Sequence, residues 1–107
     1  MLDLSPEHLR ITRKILHDRV PGIPVWAFGS RVTGKARKYS DLDLAIGGEK
    51  PLPFALLAEL EHDFSESDLD FRVDIVDWAS VKEAFKATIA SQLFRLDQAI
   101  PACDEVR

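Results

Sequence analysis

The chain has 107 residues, 46% apolar and 30% charged, a globular balance suited to one hydrophobic core. A formal net charge of −4 argues against broad nucleic-acid binding, which needs a net basic surface. No apolar run reaches the ~18 residues of a membrane span, and a single cysteine, Cys103, excludes an intrachain disulfide framework or thiolate metal site.

Residues 2–20 alternate apolar and charged side chains, unlike a secretory leader. The whole chain, 1–107, is therefore expected to be one domain in the reducing cytoplasm. Ser5-Pro6-Glu7 reads as a helix start, with Ser5 as N-cap and Pro6 in the first helical position. Leu4 and Leu9 are placed to staple across that cap. Leu9, Ile15, Leu16 and Val20 form its core stripe, and Pro21-Gly22 ends it.

Val25-Trp26-Ala27-Phe28 is short, apolar and rich in strand formers, so it predicts a buried strand that stops at Gly29-Ser30. A short helix is expected over 31–36. Leu42, Leu44 and Ile46 then alternate with Asp41, Asp43 and Ala45, the period of a second strand, closed by Gly47-Gly48. From Pro53 to Phe64, the spacing of Phe54, Leu57, Leu60 and Phe64 predicts a helix with those four on its inner side.

Residues 71–77, Phe-Arg-Val-Asp-Ile-Val-Asp, predict a third strand with Val73 and Ile75 on one face and Arg72, Asp74 and Val76 on the other. Ser80-Val81-Lys82-Glu83 matches a capping box. It is expected to open a final helix whose stripe is Val81, Phe85, Ile89, Leu93 and Leu96. The order α-β-α-β-α-β-α predicts an α/β (α+β) domain: a small mixed β-sheet with helices packed on one face and the other face at least partly open.

The segment from Gly29 to Ala45, GSRVTGKARKYSDLDLA, carries the chemistry. Side chains at i and i+2 of a strand share a face about 6.5 Å apart, so Asp41 and Asp43 point the same way. Two carboxylates so close repel one another. Magnesium relieves that repulsion, being a hard cation that takes oxygen from a few carboxylates and from substrate phosphates. Asp74 is the best candidate for a third acid; Asp77, on the opposite strand face before the next helix, reads as a cap. Gly29-Ser30 allows a backbone to approach a phosphate, with helix N–H groups and a hydroxyl as donors. Taken singly, each piece also fits a plain strand-to-helix turn or a solvated acidic pair.

Together, Gly29-Ser30, ten residues and Asp41-x-Asp43 match the G-S-x10-D-x-D pattern of the DNA polymerase β-like nucleotidyltransferase superfamily. The local text resembles its minimal nucleotidyltransferase (MntA-like antitoxin) family, and the resemblance runs over nearly the whole chain. It implies the polymerase β-like nucleotidyltransferase fold and magnesium-dependent transfer of AMP from ATP to a hydroxyl. It makes Asp41, Asp43 and Asp74 the catalytic and metal-binding acids for two magnesium ions, with Asp74 orienting or deprotonating the acceptor. Gly29 and Ser30 would hold nucleotide phosphates, Arg31 would make a phosphate or structural contact, and Lys35, Arg37 and Lys38 would help neutralise the triphosphate. Val32-Thr33 departs from relatives that place a small residue first.

At this length no further acceptor-binding domain, as larger members have, is expected. The acceptor is then expected from elsewhere, and the resemblance implies a tyrosine of a separately encoded helical HEPN-type toxin, also described as a nucleotidyltransferase substrate-binding protein, which the transfer would neutralise. Two alternatives stand beside this: a non-catalytic antitoxin that blocks its partner by contact, and transfer to a small molecule. Trp26, Phe28 and Trp78 read as core residues, with Trp78 at a strand end also able to anchor an interface.

Overall fold

A computed structural model describes residues 2–96. Cys103 and the C-terminal end of the expected 1–107 domain lie outside the described residues. The chain runs through α1 (Pro6–Arg19), β1 (Val25–Phe28), α2 (Ser30–Thr33), β2 (Leu42–Ile46), α3 (Phe54–Ser65), β3 (Val73–Asp77), α4 (Glu83–Ile89) and β4 (Phe94–Arg95). The sheet order is β3-β2-β1-β4. β1 runs antiparallel to β2 and β4, while β2 and β3 are parallel, joined through the crossover helix α3.

Helix α1 starts as the sequence predicts: Ser5 accepts a hydrogen bond from His8 N–H, and Pro6 occupies the first turn. A proline there removes only an N–H that would have no intrahelical partner. Its inner residues Leu16 and Val20 meet Leu60 and Phe64 of α3 over the sheet face built from Val25, Ala27, Leu42, Leu44 and Ile46. The two helices are tied by Arg19, whose Nε donates to Asp63 Oδ2 at 2.6 Å and whose Nη1 lies 3.3 Å from Glu59. That guanidinium holds the Asp63 carboxyl below the usual carboxylate range.

The inner stripe of α3 is shifted from expectation. Leu60 and Phe64 are buried and Leu56 packs against them, but Phe54 is 85% exposed. Phe54 stands in the first turn, immediately after Pro53 as N-cap, and lies off the face set by the spacing of Leu56, Leu60 and Phe64. Helix α2 also spans 30–33 rather than 31–36, because Gly34 at φ +84° ends it in the left-handed conformation.

The largest departure lies after β3. Asp77, not Ser80, forms the cap there. It accepts from Ala79 N–H and the Ser80 hydroxyl, so Ser80 sits inside a 3₁₀ turn over 78–80 and no capping box forms. The expected helix from Val81 to Leu96 is only seven residues long, Glu83–Ile89, followed by a 3₁₀ turn over 90–92 and then β4. Leu96 N–H donates to Val25 O at 2.8 Å, and Leu96 is wholly buried in the main core. The Leu93–Leu96 spacing suits a helix locally, but the open edge of β1 takes this segment as a strand.

Nor do all helices share one face of the sheet. α1 and α3 cover one side, while Ile89 of α4 packs on the other, with Phe28 and Ala45 and with Trp26, Val76, Trp78 and Leu93 around them. Phe85 meets Phe28 edge-on at 5.8 Å, and Trp26 lies 5.6 Å from Trp78. All three aromatic residues read as core thus join this second, smaller cluster. It covers part of the face and leaves the acidic end open.

Candidate functional site

The site forms where β1 ends and β2 and β3 begin. Phe28 stands opposite Asp43, and Asp43 stands opposite Asp74, so one row crosses three strands. Neighbouring strands lie about 4.8 Å apart, which places the second and third acids side by side. Asp41 precedes β2 by one residue, while Leu42 and Leu44 on either side of Asp43 are fully buried in the core. Alternation along one strand and pairing between two thus bring distant carboxylates to one place.

Their charges interact. Partial burial beside the Phe28 cluster pushes the Asp43 carboxyl above the usual carboxylate range; the negative charges of Asp74 and then Asp41 push it further, and Arg72 pulls it back. Arg72 spans the other two acids. Its Nη2 lies 3.3 Å from Asp41 Oδ2 and 3.3 Å from Asp74 Oδ1. Among the described residues no three His, Cys, Asp or Glu side chains are gathered as a ready-made metal set. The donor chemistry nonetheless suits magnesium: all hard oxygens, with a mutual repulsion that a divalent cation would relieve.

Gly29 follows Phe28 directly. Its φ of +85° is one that side-chain-bearing residues rarely adopt, and a Cβ built there would collide with Asp43 Oδ2. The missing side chain therefore lets the turn lie flat against the acid. Gly29 O accepts from Val32 N–H and Thr33 N–H, and Gly29 N–H donates to Gln92 Oε1 at 2.8 Å. Ser30 begins α2, half-buried beside this turn.

The basic residues divide sharply. Arg31 is buried, with its Nε donating to Ser40 O at 2.9 Å, Nη1 to Asp3 O at 2.9 Å and Nη2 to Lys38 O at 3.3 Å. It also stacks over Phe71, 4.1 Å from the ring centroid. Of the two roles expected for Arg31, phosphate contact or structural contact, these bonds describe the structural one. Lys35, Arg37 and Lys38 are exposed on the segment between α2 and β2; Lys38 lies over the Tyr39 ring at 5.2 Å. A cavity of about 340 Å³ opens between α3 and β3, lined by Phe64, Phe71, Val73 and Ile75 together with Arg72 and Asp74.

Residues 12–98 match the family model described as Polymerase beta, Nucleotidyltransferase. The chain belongs to this family. Over 88 residues it is 56% identical to the probable protein adenylyltransferase MntA of Haemophilus influenzae, covering 82% of this chain and 77% of that one. A crystal structure of a toxin–antitoxin with AMP-PNP superposes with a TM-score of 0.68 at 29% identity, covering 86% of this chain and 73% of the other. The MNT antitoxin complex with the tri-AMPylated Shewanella oneidensis HEPN toxin gives a TM-score of 0.59 at 26% identity, covering 82% and 71%.

Two residues at this candidate site, Arg72 and Gln92, are missing from the set of site residues that the sequence suggests. Arg72 was legible as a neighbour of Asp74 on its strand face, and the signal that it faces two acids lay in that same alternation. Gln92 carried no such signal, because the segment around it reads as helix and its partner Gly29 lies 63 positions away. Asp77 is placed as the sequence suggests, capping the turn and accepting from Leu52 N–H at 3.0 Å.

Proposed function

We propose that this nucleotidyltransferase is a magnesium-dependent protein adenylyltransferase of the cytoplasm. Residues 1–107 act as one catalytic domain, which transfers AMP from ATP to a tyrosine of a separately encoded HEPN-type toxin. The observation that carries this reading is the in-register opposition of Asp43 and Asp74 beside the Gly29 turn. The similarity to an MntA and to toxin–antitoxin structures with AMP-PNP or an AMPylated toxin supports the choice of nucleotide and acceptor.

In the reaction, the acceptor oxygen attacks the α-phosphorus of ATP. A phosphorus–oxygen bond forms there, the bond to the β-phosphate oxygen breaks, and pyrophosphate leaves. Asp74 orients the acceptor hydroxyl and takes its proton on a carboxylate oxygen. Ser30 and the backbone of the Gly29 turn hold the phosphates, and Lys35 and Arg37 supply positive charge from the neighbouring segment. Asp41 and Asp43, with Asp74, would hold two magnesium ions. When bound, magnesium neutralises phosphate charge and lowers the pKa of the attacking hydroxyl. Positioning and charge stabilisation suffice for such chemistry.

The test is the intact mass of the HEPN-type partner after incubation with ATP and magnesium. Wild type should add one or more AMP groups, and Asp43→Asn should add none. An unmodified partner with both proteins would overturn the reading. If Asp43→Asn also protected cells as well as wild type, neutralisation by contact would replace it.

A further inference from the structure

The glycine of the phosphate-holding turn is fastened from a distant part of the chain. Gln92 lies in the 3₁₀ turn that follows α4, and its side-chain oxygen accepts from Gly29 N–H at 2.8 Å. On either side of it, Ile89 and Leu93 are seated in the cluster with Phe28, the residue just before Gly29. The glutamine therefore hangs from a packed platform. Gly29 is held on two fronts: the Gln92 oxygen lies on its N–H, and the Asp43 carboxylate lies where its Cβ would be.

We propose that Gln92 is a positioning residue for nucleotide binding, setting the Gly29–Ser30 turn against Asp43. The inference rests on the reading that this turn holds the nucleotide's phosphates. The bond takes up the N–H of Gly29 and leaves the Ser30 hydroxyl outside it. Gln92 thus orients the turn without touching nucleotide. Without the bond, a glycine with wide conformational freedom samples other angles, and phosphate binding must then restore the one seen here.

The experiment compares wild type with Gln92→Met, which keeps the chain length but lacks the acceptor, and Gln92→Glu, which retains an acceptor oxygen. Two quantities are read: amide hydrogen exchange at Gly29 in the nucleotide-free protein, and the affinity for AMP-PNP with magnesium. The expected result is faster Gly29 exchange in Gln92→Met and an AMP-PNP Kd raised roughly three- to tenfold, the scale of one lost hydrogen bond. Gln92→Glu should keep Gly29 protected. Should Gln92→Met fail to fold, Gln92→Asn, one methylene shorter, is read in its place.

Unchanged Gly29 exchange in the acceptor-free variant would overturn the proposal. So would faster exchange with unaltered AMP-PNP affinity, which would make the bond merely structural. Wild type that binds no AMP-PNP would sink the nucleotide reading itself, and is distinguished because the failure appears before any substitution is made.

Discussion

At Gly29 two independent constraints fall on one residue: a positive φ and a carboxylate oxygen where a side chain would begin. Gly29→Ala should lose about 1–3 kcal/mol from the backbone alone, since a φ of 85° with a ψ of −157° is essentially open only to glycine, and should also push Asp43 out of its place. Urea denaturation checks the first effect and AMP-PNP binding the second. Asp43 offers a prediction in pH. Its carboxyl is raised above the usual value by burial and by Asp74 and Asp41, so the folded protein holds that proton more firmly than the unfolded chain. The associated stability is fully present below the ordinary carboxylate value of 3.8, and is lost as pH rises through the higher folded value. In metal-free buffer, Asp43→Asn should therefore gain in Tm relative to wild type as pH climbs from about 3 to 7. A fall in the Tm of Asp43→Asn relative to wild type as pH rises would contradict the sign.

At the scale of elements, Arg31 joins three pieces of chain. From α2 it reaches the residues before β2 through Lys38 O and Ser40 O, and the N-terminal segment through Asp3 O. Arg31→Ala should cost about 2–4 kcal/mol by removing a buried guanidinium with its three hydrogen bonds and its packing on Phe71. Lys35→Ala, on the exposed side of the same segment, should stay within about 0.5 kcal/mol yet weaken ATP binding in a salt-sensitive way. Thermal denaturation and binding at two ionic strengths separate the cases. The contrast also marks what a sequence can show. β1, β2 and β3 were legible because apolar alternation is local and Asp41, Asp43 and Asp74 ride on it. Arg31 was not, since its partners are carbonyls that any residue provides. β4 was not, because Leu93 and Leu96 suit a helix until the free edge of β1 offers a ladder. Phe54 kept helical spacing yet faces water, since periodicity marks a stripe without fixing where it stops.

Across the whole molecule the sheet separates two cores of unequal size. Leu16, Val20, Leu60 and Phe64 close one side over Leu42, Leu44 and Ile46; Phe28, Ala45 and Ile89 make the smaller cluster on the other. No described helix is long and apolar enough to cross a membrane. The smaller core should open first, because fewer buried contacts hold it. Ile89→Ala, a change that typically costs about 2–5 kcal/mol, should raise deuterium uptake over 83–92 while β2 stays protected. Equal loss of protection in both regions would show that the cores unfold as one.

The parallel pairing of β2 with β3 has a consequence for how the fold tolerates change. Opposition of Asp43 and Asp74 is set by strand phase, whereas α3 carries the chain from one strand to the next and closes the core over them with Leu60 and Phe64. A slip of one residue would turn Asp74 inward among leucines and bring a valine or isoleucine out; a slip of two would keep it facing outward but about 6.6 Å out of line. The side of α3 that buries Leu60 and Phe64 must stay as it is, but its outward residues Ala58, Glu61 and His62 are exposed and take no part in that register, so new surface can be grafted there onto this enzyme while the acids stay level.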